Sequence, residues 1–373
     1  MLYLDNSATT RPTEEVIRAA SEMMANFGNP SSLHRVGFLA EQTVTNARRA
    51  VAAALCARED EIFFTSGGTE SNNTAVLGGA EARRKRGDKI VLTAVEHDSV
   101  MASAKYLEEQ GFCVTRVAPE SDGNLSLEAM ADAIDETTVL VSCMLVNNET
   151  GAIFPADRLA SVIKRKNAPA LLHIDAVQAF GKLPVDVRAL GCDLLSVSAH
   201  KIHGLKGCGA LYVRKGVTIR PRSLGGHQER AFRGGTENTV GIAAFGEACR
   251  ALAVTKDRAA VAEVKAAFMR ELSAIDKVRI NSPANASPYI LNFSVPGYRS
   301  ETLLHAFEER DIFVSSGSAC KKGEQSHVLK AQGLPRDITD SAVRVSFDKE
   351  NTVADAAVFA AALRDILASV AHT

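Results

Sequence analysis

Apolar and polar positions along this chain follow two different rhythms. Between Glu61 and Val213, short apolar runs rich in β-branched residues recur at 62–65, 89–94, 138–145, 170–174, 194–198 and 209–213, separated by stretches with helical periodicity. Runs that are apolar throughout suit strands covered on both faces. Their alternation with helices predicts βαβ units and a mainly parallel sheet, an α/β fold. After residue 250 the rhythm changes. A helix rich in alanine and charge is predicted over Asp257–Ile275, then short strands in VRINSP, YILNFSV, IFVSSGS and SAVRVSF mixed with two helices. An amphipathic helix over Thr352–Ala368 closes this second, smaller α+β region.

A chain of 373 residues is long enough for two domains, and a formal net charge of −1 gives no electrostatic reason to bind nucleic acid or an anionic membrane. The basic run from Arg83 to Lys89 lacks interleaved aromatics and reads as a solvated helix end. The opening MLYLDNSATT has neither a basic start nor an apolar stretch suited to a signal peptide or membrane span, so a cytoplasmic location is expected. Seven cysteines are scattered without CxxC pairs or metal-ligand spacing, and no metal is expected. Most lie in apolar segments and read as core. Cys320 differs, because it sits among Ser315, Ser316, Gly317, Ser318 and Lys321, an accessible setting beside positive charge that favours the thiolate.

The chemistry concentrates in SVSAHKIHGLKG, where an apolar run ends at Ser198 and delivers Lys201. A lysine just past a buried strand is a candidate Schiff-base nucleophile, which points to pyridoxal phosphate. Such a cofactor needs an acid for its ring nitrogen, a phosphate cradle and a group over its ring. Asp175, ending the strand of ALLHIDAVQAF, could supply the acid; it could equally be a turn former or helix cap. The cradle is IFFTSGGTESNN, where Ser66, Gly67 and Gly68 turn a strand into a helix opening near Thr69 and Glu70. His97 stands where a strand gives way to a helix; it could lie on the ring and exchange protons, or simply start the helix.

These segments, with YLDNSATTRP, FGNPSSLHRVG, VEHDSV, VNNETG, RGGTEN, SSGSAC and VRVSF, resemble the cysteine desulfurases of the NifS/IscS kind. That family lies in the class V aminotransferase group of fold type I pyridoxal phosphate enzymes. The resemblance implies a large cofactor domain over 14–255 and a smaller α+β domain formed by 1–13 and 256–373. It implies that Lys201 is the Schiff-base lysine, His97 the ring-stacking acid/base group, Asp175 the ring-nitrogen partner and Gln178 a donor to the phenolic oxygen. Thr69, Ser198, His200 and the Gly68 backbone then correspond to phosphate ligands, with Thr236 contributed by the other subunit of a homodimer. Asn148 and Arg344, with Asn29 nearby, correspond to the holders of the substrate carboxylate, and Cys320 to the nucleophile that takes sulfur from L-cysteine. Alanine would be released, and the persulfide on Cys320 passed to an acceptor protein for iron–sulfur cluster assembly or thiolation chemistry.

Two departures bear on this expectation. The segment after Cys320 is shorter and more charged than in many members, Lys321 to Ser326 leading straight into HVLKAQG, and Leu205 stands where a proline is usual. The alternatives are a related pyridoxal enzyme, such as a selenocysteine lyase or an aminotransferase, and a non-catalytic sulfur-relay scaffold.

Overall fold

A computed structural model describes residues 1–316 and 325–369. Its twelve strands are β1 (Leu2–Tyr3), β2 (Ile62–Thr65), β3 (Lys89–Thr93), β4 (Cys113–Val117), β5 (Thr138–Met144), β6 (Leu171–Asp175), β7 (Leu194–Ser198), β8 (Gly209–Val213), β9 (Arg279–Ile280), β10 (Ile290–Ser294), β11 (Ile312–Phe313) and β12 (Ala342–Ser346). Seven form one sheet in the order β2-β8-β7-β6-β5-β3-β4. All run parallel except β8, which is antiparallel to both β2 and β7. Strands β5 to β8 are buried along their whole length, because helices cover both faces. The apolar pattern predicts six of these strands; the seventh, β4, ends the sheet and has the mixed sequence CVTRV.

The helix Gly68–Arg83 crosses the middle of the sheet closely. A Cβ on Gly79 would touch Leu140, Leu171 and Leu194 at 3.4–3.5 Å, and one on Gly78 would lie 2.3 Å from the Arg220 carbonyl oxygen. Only glycine lets backbone approach backbone at that second position.

In the C-terminal part, β9, β10 and β12 form an antiparallel sheet. It is packed by the helices Val254–Ser273 and Val353–Ser369, where Phe268, Phe293, Phe307, Phe347 and Phe359 form a fully buried aromatic group. The start of the chain belongs here as well: β1 pairs in parallel with β11, and Ser7 N donates to Ser346 Oγ at 2.8 Å. Residues beyond Ser7 then cross to the large sheet, where Thr10 N donates to the His200 carbonyl at 3.0 Å.

Of the six cysteines described, Cys143, Cys192, Cys208 and Cys249 are buried, in line with the expectation of core residues. Cys56 and Cys113 are exposed, one just beyond a helix end and one at the start of β4. Among the described residues no helix is long and apolar enough to cross a membrane.

The aromatic group carries much of the C-terminal packing, since Phe359 has its ring 4.7 Å from that of Phe307 and 5.4 Å from that of Phe268. Phe359→Ala should cost about 3–5 kcal/mol of unfolding free energy in urea titration. A loss below about 1 kcal/mol would show that this ring packs peripherally.

Candidate active site

The carboxyl ends of β6 and β7, with the turns after β2, β3 and β5, open onto one cleft, the usual place for a ligand in a parallel sheet. The turn after β2 passes through Gly67, whose φ of +147° is glycine territory, into the helix starting at Gly68. No side chain caps that helix, so its first-turn amides and dipole are available to an anion. A Cβ on Gly67 would meet nothing within 4 Å but Ser198 Oγ at 3.9 Å. Open space, uncapped amides and the Ser198 hydroxyl therefore meet at one point, which fits a phosphate. Thr69 lies in the first turn of the same helix.

Asp175 ends β6 and is buried; its Oδ1 accepts from Val177 N at 2.9 Å and its Oδ2 from Asn72 Nδ2 at 2.7 Å. This carboxylate is a strand-end acceptor with a buried face, as a ring-nitrogen partner must be. Lys201 ends the short 3-10 turn after β7, half-buried, with Nζ donating to the carbonyls of Ser7 and, at 2.8 Å, of Ala8. Gln178 Nε2 donates to the same Ser7 carbonyl at 3.0 Å, while its Oε1 accepts from Lys182 Nζ at 3.3 Å. Burial and then the neighbouring Lys201 and Arg344 charges bring Lys182 down to about 7. His200 Nδ1 lies 3.2 Å from Thr9 Oγ1; burial, followed by the charge of Lys201, lowers this imidazole to about 4, so it is neutral near pH 7.

His97 is the N-cap of the helix Asp98–Glu109, its Nδ1 accepting from Ser99 N at 3.1 Å. The helix-start reading therefore holds for this residue. Glu96 beside it is fully buried. Its Oε1 accepts from Thr93 Oγ1 at 2.7 Å and Met144 N at 2.8 Å, and its Oε2 is buried without a partner. Burial, with the Asp175 charge nearby, pushes the Glu96 carboxyl up to about 8.

Arg344, on β12, enters from the smaller sheet and is buried. Its Nη1 donates to the Asn148 carbonyl at 2.9 Å, its Nη2 pairs with Asp5 Oδ1 at 2.7 Å, and its Nε is buried without a partner. An unpartnered guanidinium N–H inside the protein is a ready donor for a carboxylate. Ser315 exchanges backbone hydrogen bonds with Arg344, Ser326 Oγ donates to Glu149 Oε2, and His327 Nε2 lies 3.0 Å from the Glu96 carbonyl. The described residues on either side of 317–324 are thus tied to the cleft. Cys320 itself falls outside the described residues.

Lys201, Gln178, His200, Asp175 and His97 are linked by shared partners and backbone neighbours, with Arg344 and Asn148 joined through Asp5 and the chain start. Asn29 and Thr236 are not among them: both are exposed, Asn29 Oδ1 accepting from Ser31 N at 2.9 Å. Thr236 follows Arg233, which holds Glu70 of the cradle helix at 3.0 Å. The sequence reading missed Asp5, Asn72, Glu96, Ser99 and Lys182. Glu96 and Asn72 stood inside quoted motifs, but only their neighbours in space distinguish them from solvated polar residues.

An α/β sheet with a lysine, a buried aspartate and an anion cradle at its carboxyl edge is the architecture of the fold type I pyridoxal phosphate enzymes. The sequence matches the class-V aminotransferase family over residues 2–359, and the chain belongs to that family and to its NifS/IscS-like group. It is 40% identical over 360 residues to "Cysteine desulfurase IscS" of Methanosarcina thermophila, covering 95% of this chain and 89% of the relative. It is 42% identical to a "Cysteine desulfurase" of Sinorhizobium fredii, covering 95% and 93%. A solved "NIFS-LIKE PROTEIN" superposes with a TM-score of 0.94 at 37% identity, covering 99% of this chain and all of that one. A NifS-like protein from Rickettsia africae gives 0.88 at 30% identity, covering 98% and 99%.

The raised Glu96 carboxyl makes stability depend on pH. Folded, the group keeps its proton up to about 8, whereas unfolded it ionises near 4.5, so the folded state holds an extra proton between those values. Stability from this group is therefore full below about 4.5 and declines as pH rises toward 8. Glu96→Gln mimics the protonated form, and its melting temperature relative to wild type should rise steadily from pH 5 to pH 8. A difference independent of pH would show that Glu96 is ionised throughout.

Proposed function

We propose that this chain is a pyridoxal phosphate-dependent cysteine desulfurase, which takes sulfur from L-cysteine, releases L-alanine and carries the sulfur as a persulfide on Cys320. The observation that carries this reading is the convergence of Lys201, the buried Asp175 carboxylate and the uncapped helix at Gly68 on one cleft, in a chain with NifS/IscS relatives. The donor set fits pyridoxal phosphate. The amides at Gly68 and Thr69, with Ser198, His200 and the other subunit's copy of Thr236, would take the phosphate. Gln178 would donate to the phenolic oxygen, and Asp175 would face the ring nitrogen. When bound, the cofactor supplies an electron sink that lets an amino acid lose its Cα proton.

The protein's own groups then divide the work. Arg344 and Asn148 hold the substrate carboxylate, the free Nε–H of Arg344 being the donor not already engaged. Lys201 Nζ takes the Cα proton. Asp175 would pair with the ring nitrogen, and His97 would exchange a proton with the substrate. The Cys320 thiolate attacks the substrate sulfur: the carbon–sulfur bond breaks, a sulfur–sulfur bond forms on Cys320, and the electron pair left on carbon is protonated to give alanine. An acceptor protein must then collect the persulfide sulfur. Burial raises the thiols of Cys143, Cys192, Cys208 and Cys249, so these cysteines are poor nucleophiles, which supports the assignment to Cys320.

A homodimer belongs to this reading. Phe27, Leu33, Phe38 and Leu39 are exposed on the loop and helix around Asn29, an apolar patch of the kind that a second copy covers. Sedimentation should give a dimer, and Phe27→Glu with Leu33→Glu should weaken it together with activity. A monomer of full activity would remove Thr236 and this patch from the site.

Incubation with L-cysteine and a thiol reductant, with alanine and sulfide both quantified, tests the function. Wild type should release both; Lys201→Ala should lose visible absorbance and turnover, and Cys320→Ser should keep the absorbance but lose the persulfide and alanine. Sulfur mapped by mass spectrometry to another cysteine, or unimpaired alanine release by Cys320→Ser, would overturn the mechanism.

A further inference from the structure

The amine of Lys182 has no part in the chemistry above, yet it is buried beside the groups that do. Lys182 lies in the turns that follow β6. Its Nζ donates to Gln178 Oε1 at 3.3 Å, Gln178 Nε2 donates to the Ser7 carbonyl at 3.0 Å, and that same carbonyl accepts from Lys201 Nζ. One amide and one carbonyl thus separate two amines. Lys182 and Lys201 also line a single cavity of about 40 Å³, together with Thr10, Gly181, Tyr289 and Asp348.

The charges around Lys182 come from several elements. Asp348 lies 3.9 Å from His203 Nε2 and accepts from Glu350 N at 2.8 Å rather than pairing with Lys182, and burial raises its carboxyl, which weakens it as a counter-ion. Asp5 is taken by Arg344. Tyr289 sets its ring 5.9 Å from Lys182 Nζ, and burial raises its phenol, so it stays neutral. His203, Asp257 and Lys349 complete the charged and titratable lining. Lys182 therefore meets Lys201 and Arg344 as like charges, with Asp348 as the counter-charge that acts on it. Repulsion between two amines is mutual. While Lys201 is an ammonium, a proton on Lys182 is costly. Once the Lys201 nitrogen is joined to the aldehyde carbon of the cofactor it gives up that fixed charge, Lys182 keeps its proton, and the Lys182 ammonium acts back on the Lys201 nitrogen. A lysine beside a second cation is the less basic and the readier to act as nucleophile or base.

We propose that Lys182 is a positioning residue whose ammonium, anchored on Gln178, lowers the basicity of the Lys201 nitrogen in the loaded enzyme and so keeps it free to take the Cα proton. The proposal rests on the role given above to Lys201, but neither of its measurements requires turnover.

The visible absorbance of the enzyme loaded with pyridoxal phosphate, titrated with pH, reports protonation of the Lys201 nitrogen. Lys182→Met removes both charge and donor, whereas Lys182→Gln keeps a donor toward Gln178 Oε1 without the charge. Both variants should move the midpoint up by about one pH unit. In cofactor-free protein, carbon NMR of labelled lysine, with Lys182 assigned by its loss in Lys182→Met, should titrate Lys182 at about 7 in wild type and higher in Lys201→Ala. An unmoved midpoint in the two neutral variants, a shift in only one of them, or a Lys182 titration unchanged by Lys201→Ala overturns the proposal. If wild type releases no alanine from L-cysteine, the functional reading fails, and the titration of Lys182 with and without the Lys201 amine still decides whether the two act on each other.

Discussion

The site depends on a strap, residues 5–10, held between the two sheets. Asp5 pairs with Arg344, the Ser7 carbonyl accepts from both Lys201 and Gln178, and Thr10 is hydrogen-bonded to the His200 backbone. Such a segment has no core of its own, and its position is set by β1 on one side and the turn after β7 on the other. Any shift of the strap therefore disturbs the partners of Lys201, Gln178 and Arg344 together.

Electrostatics follow from the same crowding. Lys201 and Arg344 bring positive charge into a poorly solvated cleft, suited to a phosphate and a substrate carboxylate. Burial answers by shedding charge from neighbours that would add to it: His200 falls to about 4 and Lys182 to about 7. On the opposite wall burial, with Asp175 nearby, makes Glu96 keep its proton to about 8. Glu96 is thus a hydrogen-bonded wall, while Asp175 is braced by Val177 N–H and Asn72.

Much of this was legible along the chain. Buried strands announce themselves by unbroken apolar runs, so β2, β3 and β5 to β8 were readable, and with them the turns that carry Gly67, His97, Asp175 and Lys201. β4 was not, because CVTRV carries no such run and only Val117 of it is buried. The exposure of Cys56 and Cys113 escaped for a related reason: local hydrophobicity reports what could be buried, and position in the fold decides what is.

Sequence by itself determined the fold class, the order of the site residues and their chemical types, since strand ends and glycine turns are local features with local causes. Tertiary structure alone decided the pairings. Nothing local links Asp5 to Arg344, 339 positions apart, or Asn72 to Asp175, 103 apart; those contacts exist because sheet order and the returning chain start bring remote turns to one edge. A hydrogen bond's direction, an orphaned N–H and a displaced pKa all depend on such neighbours, so they became visible only when the chain was folded.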